Sequence, residues 1–228
     1  MKPARVLITA GPTYEPIDAV RFIGNRSSGR MGSAIADAAA GRSLDVTLLL
    51  GPGAIEPANT AVRVIRFRTC ADLQALLRTH APRADALIMA AAVADYRPKP
   101  NPLMSGGKFR RTDKPLTLEL EPTPDLLSEV AASRRQDQLF VGFALEPRAD
   151  LLESAQRKLT KKKVDIVVAN PLETMDADTV EATLLFRDGR RLETSGKLSK
   201  QAFAGWLLDV IVPMMPAAKE QAAAARTC

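Results

Sequence analysis

One histidine and two cysteines in 228 residues exclude several chemistries at once. A Cys/His zinc centre needs a cluster of such ligands, and a Ser-His-Asp triad needs a histidine poised beside a nucleophile. The single His80, in LLRTHAPR, reads instead as a residue ending a helix, where its partial charge complements the dipole. Cys70 and Cys228 lie far apart in sequence, so no disulfide is expected and a reducing cytoplasm is the expected location. Aromatic residues make up only 4% of the chain. The core must therefore be aliphatic, and a stacking platform for nucleic acid is not expected. No stretch reaches the ~20 apolar residues of a membrane helix. The opening MKPARVLITAG has too short an apolar run, and no cleavage site, for a signal peptide. Neither a membrane nor a nucleic-acid partner is expected.

What the chain does have is 46% hydrophobic residues and a net charge of +6, which together describe a folded protein with acidic ligands. ARVLITAG (4–11), DVTLLLG (45–51), VRVIRF (62–67) and DALIMAAAVAD (85–95) are apolar runs bounded by turn residues. They alternate with the helical segments MGSAIADAAAG (31–41) and CADLQALLRTH (70–80), the latter preceded by Thr69 as a cap. This alternation predicts an α/β fold with a mostly parallel central sheet covered on both faces. YRPKPNPLMSGGKFRRTDKP (96–115), rich in proline and basic residues, interrupts the rhythm and is expected to form a long lid or binding loop. LTLELEP is then expected to resume the sheet, followed by a helix from PDLLSEVAASR, a strand QLFVGFALE, a helix from ADLLESAQRKL and a strand DIVVAN. ATLLFRDGRRLET predicts a C-terminal hairpin turning at Asp188-Gly189. One domain over residues 1–216 and a frayed tail over 217–228 are the expected organisation.

The stretch RFIGNRSSGRMG (21–32) places Ser27, Ser28, Gly29, Arg30 and Gly32 at the mouth of a helix. Unpaired amides and the positive end of the dipole converge there, and glycines admit a close ligand. Asn25 adds an amide able to donate to a developing oxyanion. A serine-capped helix start uses the same letters. A dinucleotide site would instead show G-x-G-x-x-G directly after the first strand and an acid after the second. Here GPTYEPIDAVRFIGN follows LITAG, and the second strand ends LLLGPG. A nicotinamide-dependent reductase, like a non-catalytic nucleotide-binding module, is therefore an alternative reading only.

GPTYEPIDAVRFIGNRSSGRMG, together with AAAVADYRPK, KFRR, PTPDLL, VGFALE and KLTKKKVDIVVAN in that order, resembles phosphopantothenoylcysteine synthetases. These are the ligase half of bacterial bifunctional coenzyme A biosynthesis proteins. The resemblance implies a Rossmann-like three-layer sandwich that joins 4′-phosphopantothenate to cysteine through an acyl-cytidylate made from CTP, with magnesium. It implies catalytic roles for Asn25 and Lys108, the latter also binding CTP. It further implies CTP contacts from Met89, Ala90, Ala91, Asp95, Pro124, Asp125, Leu126, Leu127, Phe143, Lys158 and Lys162. Magnesium would ride mainly on the triphosphate, with Asp95 as a protein contact. Pro124 to Leu127 would open a helix and form a second anion site. Relatives of this kind are homodimers, and the 188–189 hairpin is a candidate contact. Their flavin-dependent decarboxylase half has no counterpart here, so no flavin is expected and a decarboxylase is an expected partner. The sequence departs from the family pattern in four places. Tyr14 stands where arginine is usual, Gly24 where serine or threonine is common, and KFRR where KIKK is common; the 171–182 loop is short but keeps Asp178.

Overall fold

A computed structural model describes residues 3–100, 107–108, 110–111, 113–175 and 177–216. β1 (Arg5–Ala10) leads into two short strands, β2 (Tyr14–Pro16) and β3 (Phe22–Gly24), then α1 (Arg30–Gly41) and β4 (Asp45–Leu50). β5 (Arg63–Arg66), α2 (Cys70–His80) and β6 (Ala86–Met89) follow. Next come β7 (Tyr96–Pro98), β8 (Leu120–Pro122), α3 (Leu126–Ala132), β9 (Leu139–Glu146), α4 (Leu151–Lys162) and β10 (Ile166–Pro171). The chain ends in β11 (Thr179–Val180), β12 (Thr183–Phe186), β13 (Arg191–Glu193), β14 (Leu198–Ser199) and α5 (Lys200–Ile211).

Eight strands form one sheet in the order β13-β12-β10-β9-β6-β1-β4-β5. The six from β5 to β10 run parallel, and β12 and β13 close one edge antiparallel. Alternation along β1 serves both faces. Val6, Ile8 and Ala10 belong to the core layer that includes α1 and α5, while Leu7 belongs to the opposite layer, which includes α2, α3 and α4. Each fully buried leucine or isoleucine of this kind contributes roughly 1.5–3 kcal/mol. Three layers result, as the continuous apolar runs predict.

The order of strands reverses at β1: the chain moves outward to β4 and β5, then returns to place β6 on the other side. The carboxyl ends of β1 and β6 therefore diverge into a crevice, the usual ligand position in open α/β sheets. Backbone bonds weave its floor, with Ala90 N donating to Thr9 O at 3.2 Å and Ala92 N to Gly11 O at 2.9 Å. The buried Thr9 hydroxyl accepts from Ala91 N at 3.1 Å.

One expected strand is corrected. LTLELEP does not rejoin the sheet; only β8 forms, antiparallel to β7 in a separate ribbon. The physical reason is its period of two: alternating leucine and glutamate give one apolar face, whereas a central parallel strand is apolar on both. Its glutamates pair with cations in and just after β7, Arg97 with Glu121 at 2.8 Å and Lys99 with Glu119 at 3.4 Å. The hairpin at Asp188-Gly189 forms as expected, Gly189 taking a positive φ of 89°. Thr69 caps α2 with Asp72 in a reciprocal capping box, and His80 is the last residue of that helix. Parts of the 96–115 loop (101–106, 109 and 112), the 217–228 tail and Cys228 lie outside the described residues.

Candidate functional site

A cleft of about 750 Å³ opens at the switch point between β1 and β6. Its first wall is residues 24–32, running from the end of β3 into α1. Gly29 caps that helix with φ at +70°, and a Cβ there would sit 2.6 Å from the Ala54 methyl. Only glycine fits both conditions. Ser33 N bonds back to Gly29 O, leaving the amides of Arg30, Met31 and Gly32 as first-turn donors. The 51–55 segment braces this loop from behind: Ile55 N donates to Ser28 O at 3.0 Å, and the Ser33 hydroxyl to Ile55 O at 2.6 Å. Asn25 also lines the cleft and donates Nδ2 to Ala92 O at 3.0 Å, so its amide bridges the loop to the residues after β6.

The facing wall brings together Met89, Ala90, Ala91, Asp95, Thr123, Pro124, Asp125, Leu126, Leu127, Phe143, Glu146, Lys158 and Lys162. Lys158 and Lys162 stand one turn apart on α4, as their spacing predicts. Lys158 Nζ donates to the Phe143 carbonyl within β9. Burial, reinforced by the charge of Lys162, lowers the Lys158 pKa, against the pull of Asp125, Glu146 and Asp95. Asp125 caps α3 by accepting from Ser128 N at 3.1 Å, and also pairs with Lys162. Burial acts to raise its pKa, but the bonds from Lys162 and Ser128 outweigh that and hold it below the ordinary carboxylate value. The expected second anion site is thus altered: α3 begins after Asp125, not at Pro124, and Asp125's own carboxylate takes the Ser128 amide.

Lys108 is the expected residue that the structure does not bring into this wall. It is exposed, while the adjoining Gly107 accepts from Ala19 N at 3.5 Å in the turn between β2 and β3. Its segment therefore touches the ribbon that ends in Asn25, without Lys108 itself lining the cleft.

Two of the departures from the family pattern explain each other. Tyr14 and Gly24 are register partners across the β2–β3 ribbon. The Tyr14 ring stacks on Phe22 with centroids 3.7 Å apart and lies across Gly24, where a Cβ would meet Tyr14 Cδ1 at 2.8 Å. The large residue at one position goes with the absence of a side chain at the other. Asp178, kept in the shortened loop, pairs with Arg30 at 2.7 Å and so ties that loop to α1.

Sequence reasoning missed several contributors. Lys200, buried at the start of α5, lines the cleft and reaches Met175 O at 3.4 Å. Asn170, at the end of β10, also lines it. Glu15 is 3% exposed and accepts from Cys70 N at 2.8 Å, anchoring the ribbon to α2. Burial, with Glu15 nearby, pushes the Cys70 thiol up to about 11, which disqualifies it as a nucleophile at neutral pH. An isolated lysine in SKQAF offered no signal, but Asn170 closes a buried strand in VVAN and its position beyond a sheet's carboxyl edge was such a signal.

The fold and cleft define an open, doubly wound α/β protein with a crevice at its switch point and cationic side chains on both walls. Residues 1–214 match the family model described as DNA/pantothenate metabolism flavoprotein C-terminal domain. The chain belongs to that family. It is 39% identical over 225 residues to the coenzyme A biosynthesis bifunctional protein CoaBC of Mycobacterium tuberculosis (strain ATCC 25618 / H37Rv), covering 92% of this chain and 52% of that protein. It is 39% identical over 203 residues to a cysteine/cysteine sulfinic acid decarboxylase of an unknown prokaryotic organism, covering 86% of this chain and 55% of that protein. The chain spans about half the length of the curated relatives it matches. A crystal structure of the C-terminal domain of CoaBC superposes with a TM-score of 0.77 at 34% identity, covering 92% of this chain and 95% of that one.

Proposed function

We propose that this chain is a phosphopantothenate–cysteine ligase. The carrying observation is a single cleft that gathers amide donors and arginines on one wall and two helix-borne lysines on the other. Such a cleft suits two polyanions that must react with each other. The similarity to the C-terminal domain of a coenzyme A biosynthesis protein, which this chain covers nearly end to end, supports the reading. The decarboxylase name of the other relative does not discriminate, because the match covers 55% of that protein.

In the first step a carboxylate oxygen of 4′-phosphopantothenate attacks the α-phosphorus of CTP, and the bond to pyrophosphate breaks. In the second, the cysteine amine attacks the acyl carbon, loses a proton, and displaces CMP. Lys158 and Lys162 are assigned to the triphosphate, and Met89 to Ala91 with Phe143 to the base. Asn25, already oriented by Ala92, is assigned to the oxyanion that develops at the acyl carbon. Lys108 is assigned to charge building at the α-phosphorus. That role requires it to be carried into the cleft, by its own segment or from a neighbouring subunit.

Among the described residues no three His, Cys, Asp or Glu side chains cluster as a metal site. Asp95 faces the cleft, which fits a magnesium ion arriving on the triphosphate rather than one held by the protein. Magnesium would supply charge neutralisation of the phosphates. A homodimer is also proposed. Val20, Phe22, Tyr96 and Leu120 are exposed apolar side chains on the two small ribbons, whereas the 188–189 hairpin carries surface ion pairs. Light scattering tests the stoichiometry. A decarboxylase supplying or consuming material beside this ligase is the proposed partner.

The deciding assay is pyrophosphate release with each of the four nucleoside triphosphates, phosphopantothenate and magnesium. Release that requires CTP and the acid is the expected result. Nucleotide binding without turnover would overturn the proposal in favour of a non-catalytic module.

A further inference from the structure

Thr13, between β1 and β2, is fully buried and stands behind the cleft rather than in its lining. It nevertheless holds the segment after β6 at two points. Its N–H donates to Ala92 O at 3.2 Å, and its hydroxyl accepts from Ala94 N at 3.0 Å. Pro12 and Ala92 pair there as a single parallel bridge, with Ala92 N donating to Gly11 O at 2.9 Å. An ordinary parallel ladder would next send Ala94 N to the Thr13 carbonyl. The hydroxyl takes that bond instead. The carbonyl is thereby released toward β3, where it would lie 2.9 Å from a Cβ on Gly24. Asn25 follows Gly24, is exposed, and donates Nδ2 to the same Ala92 carbonyl at 3.0 Å.

We propose that the Thr13 hydroxyl is a positioning group for the Asn25 amide. This rests on reading the cleft as a ligase site in which Asn25 meets the oxyanion. Ala94 is buried, so without the hydroxyl its N–H would lack an acceptor. The ladder bond to the Thr13 carbonyl is the nearest substitute. Taking it would draw that carbonyl away from the end of β3 and change the spacing between Asn25 and Ala92 O. An exposed amide takes its direction from such a bond, since packing does not hold it. Asp95 is insulated from the change. Thr123 separately donates its hydroxyl to Ala94 O at 2.6 Å and its N–H to Asp95 O at 2.9 Å.

The test compares Thr13→Val, which keeps nearly the same shape and removes the hydroxyl, with Thr13→Ser, which keeps the hydroxyl. Each is measured alone and together with Asn25→Ala. Pyrophosphate release without cysteine reads activation, and product formation with cysteine reads the second step. Thr13→Val is expected to slow product formation by about tenfold, a fraction of the roughly 10²–10³ carried by an oxyanion donor. Pyrophosphate release and KM for CTP should stay at wild-type values, and Thr13→Ser should recover most of the product rate. With Asn25→Ala present, Thr13→Val should slow product formation no further. Losses that multiply in the double variant overturn the assignment, because a general weakening of the fold does not depend on Asn25. A wild-type product rate in Thr13→Val overturns it too. Where Thr13→Val does not fold, Thr13→Ser decides: recovery of most of the rate upholds the assignment, and a rate as low as that of Asn25→Ala overturns it. A wild type that releases no pyrophosphate with CTP and phosphopantothenate refutes the ligase reading itself, and the assignment with it.

Discussion

Restoring a side chain at position 24 tests the account of the ribbon most directly. In Gly24→Ala the new Cβ would lie 2.8 Å from Tyr14 Cδ1 and 2.9 Å from the Thr13 carbonyl oxygen. Both are closer than any tolerated contact, and overpacking of this kind costs about 1–3 kcal/mol. Tyr14→Arg alone removes the stack on Phe22, which is worth about 0.5–1.5 kcal/mol. In the double variant the ring clash is gone and only the carbonyl contact remains. The two losses should therefore fall short of additive by roughly 0.5–2 kcal/mol. Urea denaturation of the four proteins supplies the cycle, with about 2–4 °C of melting temperature per kcal/mol as a parallel readout. Because Asn25 follows Gly24 directly, product formation should fall in Gly24→Ala and recover partly in the double variant. Strict additivity in both stability and rate would refute the argument that the two departures compensate.

The remaining expectations concern the chemistry. Asn25→Asp replaces the donor to Ala92 O with a carboxylate; nucleotide binding should persist while product formation falls by roughly 10²–10³, and full turnover would remove Asn25 from its role. Lys108→Gln should abolish pyrophosphate release, and a wild-type rate would return Lys108 to an ordinary surface charge. Lys158 must be protonated to hold phosphate, and its lowered pKa places the alkaline fall of kcat/KM for CTP below the ordinary lysine range; Lys158→Arg should remove that limb, since arginine stays charged. The same shift has a stability sign. Between the folded pKa and the ordinary lysine value the unfolded chain binds the extra proton, so this residue makes stability rise with pH across that window. Denaturation midpoints that fall there in the wild type relative to Lys158→Met would contradict it.

Much of this protein was legible along the chain because its signals are local. Continuous apolar runs marked β1, β4, β6, β9 and β10, since a parallel strand is buried on both faces whatever its neighbours. Thr69 before its helix and Asp-Gly in its hairpin carried their own geometry. The motif stretches named the cleft because residues at strand ends and helix starts meet at a switch point. Local signals failed where a partner distant in sequence decides the outcome. LTLELEP had strand letters, but β7 claimed it as a ribbon. Asp125 became its own helix cap with Lys162 as counter-ion, a contact 37 residues away in sequence. The pairing of Tyr14 with Gly24 needed the register of two strands. Propensity and period are properties of neighbours in the chain and can be read there. Orientation, burial and the satisfaction of polar atoms depend on neighbours in space, which only the folded structure supplies.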